Sequence, residues 1–186
     1  MSFPAAIGVA RLARFRADGL AGFDASPMGL LNALAPWFAF ALVGFVLVLV
    51  TGSARAALGD LAGTTVALLT PPVLSHALAR RWGREDAWMR YAVAFAWCQW
   101  VMPPALLAMV VLSGMLVAAG MPDALAELLG AMALLVYALA LHWFVARHAL
   151  SLSRWRTALL VAAINLGTGA LVSVPVLIQG MWEGAA

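Results

Sequence analysis

The chain has 186 residues, of which 65% are hydrophobic and 10% charged, and a mean hydropathy of +0.98. Soluble domains are about 45–50% apolar, so this balance excludes a separate soluble module and makes the whole chain one membrane domain. The net charge of +3 comes from arginine alone, with no lysine. It therefore reads as topology and lipid-phosphate contact, with no nucleic-acid partner.

In chain order, residues 1–30 form a basic segment ahead of the membrane. A helix is expected over 3–20, capped by Ser2, with Pro4 in its first turn. Arg11, Arg14 and Asp18 share one face, and Val9, Leu12, Ala13 and Leu20 lie roughly opposite. That pattern predicts a short interfacial helix. No continuous apolar core precedes Asp24, so the first span is expected to be a retained anchor.

Five apolar runs follow, over about 33–50, 61–79, 91–119, 128–146 and 157–178, within a transmembrane domain of 31–182 and ahead of a 183–186 tail. At ~1.5 Å per residue each run crosses a ~30 Å hydrocarbon layer. Trp37 reads as an interfacial belt residue at the start of the first run, and Trp182 as its counterpart after the last. Pro71 and Pro72 should kink the second span, and Pro103 and Pro104 the third. The third run is read as one bent helix, because a hairpin would leave two halves too short to span. Gly59 and Gly63, and Ala163, Gly167 and Gly169, offer small-residue faces for helix contact.

The arginines fix the threading. Arg11, Arg14 and Arg16 precede the first run, Arg80, Arg81, Arg84 and Arg90 follow the second, and Arg147, Arg154 and Arg156 follow the fourth. The alternate segments hold Arg55 alone. Positive residues stay on the cytoplasmic side, which predicts an amino terminus inside and a carboxyl terminus outside. Arg80, Arg81, Arg84, Arg147, Arg154 and Arg156 are read as topology and lipid contacts. The arginine-only, alanine-rich composition points to a bacterium with a GC-rich genome, and hence to its cytoplasmic (inner) membrane.

The fold class is therefore all-α: a polytopic protein of five transmembrane helices plus the amino-terminal helix. No phosphate loop, nucleophile elbow or paired-cysteine motif is present. Cys98 is the single cysteine, and neither a metal nor a cofactor is expected. The acidic residues lie in loops or at span ends, so the coupling carboxylate of a transporter is missing. The polar groups within the spans are His76, Gln99, His142 and Asn165. Counted from the ends of the runs, all four lie roughly 5–12 Å from the cytoplasmic boundary. They are read as a cluster opening to the cytoplasm or, more plainly, as separate helix-to-helix hydrogen bonds.

The second half of the chain resembles the Yip1-like superfamily of small five-span membrane proteins. The likeness begins at Tyr91-Ala-Val-Ala-Phe, takes in Pro103 and Pro104, Gly130 and Tyr137, and is clearest over Ala149-Leu-Ser-Leu-Ser-Arg-Trp-Arg-Thr-Ala158. The resemblance implies five helices, a cytoplasmic amino terminus and an outer carboxyl terminus. Eukaryotic members serve vesicle traffic through small GTPases and membrane-shaping partners. The short, basic amino-terminal segment here departs from them. The expected function is that of a non-enzymatic scaffold or accessory subunit, whose partners are the lipid bilayer and other membrane subunits or further copies of itself. A small transporter or channel with a cytoplasm-facing cavity is the alternative. Further behind stands a lipid-headgroup enzyme using His76, His142 or His148.

Overall fold

A computed structural model describes residues 3–183, apart from the side chains of Phe3, Arg55 and residues 174–183. Ser2, residues 184–186 and the Trp182 side chain lie outside the described residues. The described chain is helical, without strands, and five helices are long and apolar enough to cross a membrane. The elements are α1 (Phe3–Leu12), a 3-10 turn (Ala17–Gly22), α2 (Pro27–Thr51), α3 (Ala54–Arg81), α4 (Glu85–Cys98), a second 3-10 turn (Gln99–Val101), α5 (Met102–Ala118), α6 (Asp123–Leu150) and α7 (Arg154–Glu183).

The helices overrun the apolar stretches at most ends because local capping, rather than hydrocarbon thickness, sets where they stop. The Ser26 hydroxyl accepts from Gly29 N at 3.0 Å and Ser53 from Ala56 N at 3.2 Å, satisfying amides that α2 and α3 leave free. Glu85 and Asp86 open α4, Asp123 opens α6, and Arg80 and Arg81 close α3, each matching the helix dipole. The link between α6 and α7 is only residues 151–153, with Ser151 left-handed at φ 51°. Arg147 therefore rides on α6, while Arg154 and Arg156 ride on α7, rather than on a ten-residue turn.

The third span is one continuous helical stretch, Glu85–Ala118. α4 tightens into the 3-10 turn at Gln99–Val101, and α5 restarts with prolines in its first turn. Proline lacks the N–H that would continue the α4 ladder, so the change of helix type falls just ahead of the pair. Before that turn α4 packs against α2, α3 and α6; after it α5 packs along α6. α3 in turn packs against both α2 and α7. Buried side chains crowd toward the arginine-rich end of the bundle: Tyr91, Val93, Leu141, Val145, Leu150 and Leu160. α5 has no buried residue, and near the opposite end the buried residues among those described are small, such as Ala57 and Ala126.

The amino-terminal segment departs from the continuous helix expected over 3–20. α1 ends at Leu12, the chain reverses at Phe15 (φ 56°), and the 3-10 turn doubles back along α1. Glycine permits this close approach, since a Cβ on Gly19 would stand 2.6 Å from the Gly8 carbonyl oxygen. The resulting arm packs α1 against α4 and its turn against α6. Leu12 is fully buried, the Tyr137 hydroxyl donates to the Ala13 carbonyl at 2.9 Å, and Phe15 meets Tyr137 and Phe144 edge-on.

Gly19→Ala should weaken arm packing by about 1–3 kcal/mol, because backbone rather than a flexible side chain must yield. Trypsin should then cut faster at Arg11–Arg16 in detergent, with helix content unchanged. A cleavage rate equal to that of the parent chain would contradict the packed arm.

Candidate functional site

The polar residues within the spans do not form one cluster. His142 and Asn165 meet. Asn165 Nδ2 lies 3.2 Å from His142 Nδ1 and donates to the Val161 carbonyl at 2.7 Å. The other ring nitrogen of His142, Nε2, shares a hydrogen bond with the Tyr91 hydroxyl at 2.8 Å. Tyr91 stacks on Phe95, and Phe95 covers the His142 ring at 4.4 Å between centroids. The network ties α4, α6 and α7 together at one level.

His76 stands apart. It faces Glu85 at 3.4 Å across the turn joining α3 to α4, and its ring meets Trp88 at 4.6 Å between centroids. Trp88 in turn donates to the Ser75 hydroxyl at 3.0 Å. This group knits α3 to α4 at the arginine-rich end. Gln99 also departs from the level of His142: Tyr91 meets His142, and Gln99 lies eight residues beyond Tyr91, about 12 Å further along the helix.

Gln99 and Asn165 do share a cavity of about 370 Å³ between α2, α3, α4 and α7. Its walls include Leu34, Trp37, Pro71, Pro72, Ser75, Tyr91 and Thr168, and among the described residues no charged side chain lines it. Ser75, Tyr91, Ala92 and Ile164 are buried at one end, whereas Thr64, Asn165 and Gly169 are exposed on the rim. The closed end lies beneath the Trp88–Ser75 bond, on the arginine-rich side.

Pro71 and Pro72 lie within α3 and line the cavity, as do Ala67 and Leu68. The prolines remove the N–H donors that those two carbonyls would otherwise receive four residues on. Pro103 and Pro104 sit instead at the start of α5, outside the cavity lining. Trp37, read as a belt residue, lies ten residues into α2, packs on Trp100 at 5.0 Å between centroids, and lines the cavity.

Arg80, Arg81, Arg84, Arg154 and Arg156 are exposed, as contacts to lipid phosphates require. Arg147 is half-buried, lies over the Trp143 ring at 5.4 Å and donates to the Leu152 carbonyl at 3.3 Å, so it also clamps the turn. Arg90, which carried only a topology reading, donates to the Ala149 carbonyl at 2.7 Å and joins two arginine-rich connections.

Fold and site together define a polytopic helical membrane protein with an uncharged cavity between its spans. The chain matches no family model, no curated protein and no solved structure.

Replacing His142 with leucine strips Tyr91 and Asn165 of a shared partner. A Tyr91→Phe/His142→Leu cycle, read by unfolding in mixed micelles, should give a coupling of about 0.6–1.7 kcal/mol. His76→Leu, at an exposed pair, should change stability by less than about 0.5 kcal/mol. Equal effects at the two histidines would refute the distinction.

Proposed function

We propose that the protein is a non-enzymatic multi-pass membrane subunit acting by contact, with partner membrane proteins, further copies of itself and lipid. The observation that carries this reading is the loosely occupied half of the bundle. α5 buries no residue and packs along α6. Nothing stands within 4 Å of where a Cβ would sit on Gly59, Gly63 or Gly114, so bare helix backbone faces outward at each. Small residues let a second helix approach closely, and in hydrocarbon close packing is what drives association. Gly167 has already spent its surface inside the protomer, against Leu74.

The arginine count supports a bacterial cytoplasmic membrane as the location, with the amino terminus in the cytoplasm and the carboxyl terminus in the periplasm. The likeness of the second half to Yip1-like proteins supports the same threading.

A second reading, a small transporter or channel, draws on the cavity. It requires a path past the Trp88–Ser75 bond to the arginine-rich end. Trp88→Ala should then raise the flux of small neutral solutes into proteoliposomes, whereas a subunit acting by contact gives no flux in either form.

For the first reading, native mass spectrometry after extraction in mild detergent should show a stoichiometric partner or a self-oligomer. Gly59→Leu/Gly63→Leu should shift the population toward the single chain. A strictly monomeric, partnerless parent chain would count against it.

A further inference from the structure

The amino-terminal arm lies deeper than a surface helix would. α1 packs against the 3-10 turn Gln99–Val101 as well as against α4. That turn begins at Gln99, about 21 Å along the helix from Glu85. α6 gives the same depth independently. The hydroxyl of Tyr137, a residue about 20 Å short of Leu150, donates to the Ala13 carbonyl. Phe15 touches both Tyr137 and Phe144, which sets it about 14 Å in from the Leu150 end. Centred on a ~30 Å hydrocarbon layer, the 28 residues of α6, ~42 Å long, overrun it by about 6 Å at each end. Phe15 therefore sits about 8 Å beneath the hydrocarbon surface.

The arm takes the place of lipid along that stretch. The exposed large apolar residues of α6 run from Leu125 to Leu139 and stop there. Beyond them Phe15 and the 3-10 turn of the arm lie on the helix, and among residues 140–150 only His148 is exposed. The outer surface of the arm, however, is charged: Arg11, Arg14, Arg16 and Asp18 are all exposed. Asp18 pairs with Arg11 at 3.4 Å and with Arg16 at 3.1 Å. Asp24, the next acid along, accepts from the Ser26 hydroxyl at the start of α2. Arg14 forms no salt bridge among the described residues.

A guanidinium group beneath the hydrocarbon surface is costly unless its side chain climbs to the interface and meets a counter-ion there. The anion that a membrane supplies at that level is a lipid phosphate, whose oxygens match the planar guanidinium with two parallel hydrogen bonds. A zwitterionic headgroup would also bring an ammonium toward an arm that is already positive, so an anionic phospholipid is the better fit.

We propose that the arm is a re-entrant element of the leaflet at the arginine-rich end, and that Arg14 holds the phosphate of one anionic phospholipid there. This site deepens the lipid contact of the function proposed above and rests on that reading only for its place in a membrane. No protein partner enters it, so a partnerless chain leaves it standing.

Native mass spectrometry of the purified full-length chain, titrated with phosphatidylglycerol and separately with phosphatidylcholine, tests the site. One phosphatidylglycerol should bind ahead of any others, and more tightly than phosphatidylcholine. Arg14→Gln should weaken that first binding about tenfold or more, the value of a charged hydrogen bond. Arg84→Gln, at the turn joining α3 to α4, should leave it unchanged. Asp18→Asn supplies a reading that a loosened arm cannot mimic: freeing Arg11 and Arg16 of their shared carboxylate should tighten binding. Depth is read separately, from a spin label at Ala17→Cys in a Cys98→Ala background, in vesicles of the two lipids. Relative to a label at Trp155→Cys, it should collide more with oxygen and less with a water-soluble nickel chelate. Equal affinity for the two lipids, first binding indifferent to Arg14→Gln or equally weakened by Arg84→Gln, or an Ala17→Cys label as open to the chelate as the Trp155→Cys one would overturn the site.

Discussion

A guanidinium group does not cross hydrocarbon, and the rest of this structure follows from where the arginines therefore sit. Ten of the eleven fall in segments that alternate with nearly arginine-free ones. Five helices long enough to span, joined by short turns, bring those ten to one end. Within hydrocarbon no water is present to satisfy a backbone amide, so helices are the form such a chain can take. The same restriction makes each proline informative. Pro103 and Pro104 are accommodated by restarting a helix, whereas Pro71 and Pro72 remain inside one, beside a cavity where freed carbonyls are tolerable.

The two ends of the bundle are built differently. At the arginine-rich end side chains reach across helices: Arg90 to Ala149, Trp88 to Ser75, and Tyr91 to His142 with Asn165 alongside. The amino-terminal arm adds Leu12 and Phe15 to that packing. Toward the other end cohesion rests on narrow contacts such as Gly130 against Ser113, whose hydroxyl donates to the Ala126 carbonyl. One half is thus a joined core, and the other presents helix faces to whatever surrounds it. The contact with partners proposed above draws on this asymmetry.

Hydropathy made the spans legible, because it reflects the solvent rather than fine packing. Depth was less legible, because counting from the apolar run at Tyr91 misplaces a helix that begins at Glu85. That offset put Gln99 level with His142. His76 was grouped with His142 on depth alone; Glu85, just past a short turn, was the readable sign that it pairs locally. Tyr91 escaped notice inside an apolar run, although a buried tyrosine hydroxyl needs a partner. The folded-back arm was signalled by Gly8, Gly19 and Gly22, which bulkier residues could not replace at that approach.

The threading itself is open to direct measurement, aided by the burial of Cys98, the only cysteine. In a Cys98→Ala background, single cysteines are placed by Trp155→Cys at the arginine-rich end and by Asp123→Cys at the other. Intact cells are then treated with a membrane-impermeant maleimide. Asp123→Cys should label at once, and Trp155→Cys only after the membrane is opened. Labelling of Trp155→Cys in intact cells, with or without Asp123→Cys, would contradict an arrangement set by arginines that stay inside.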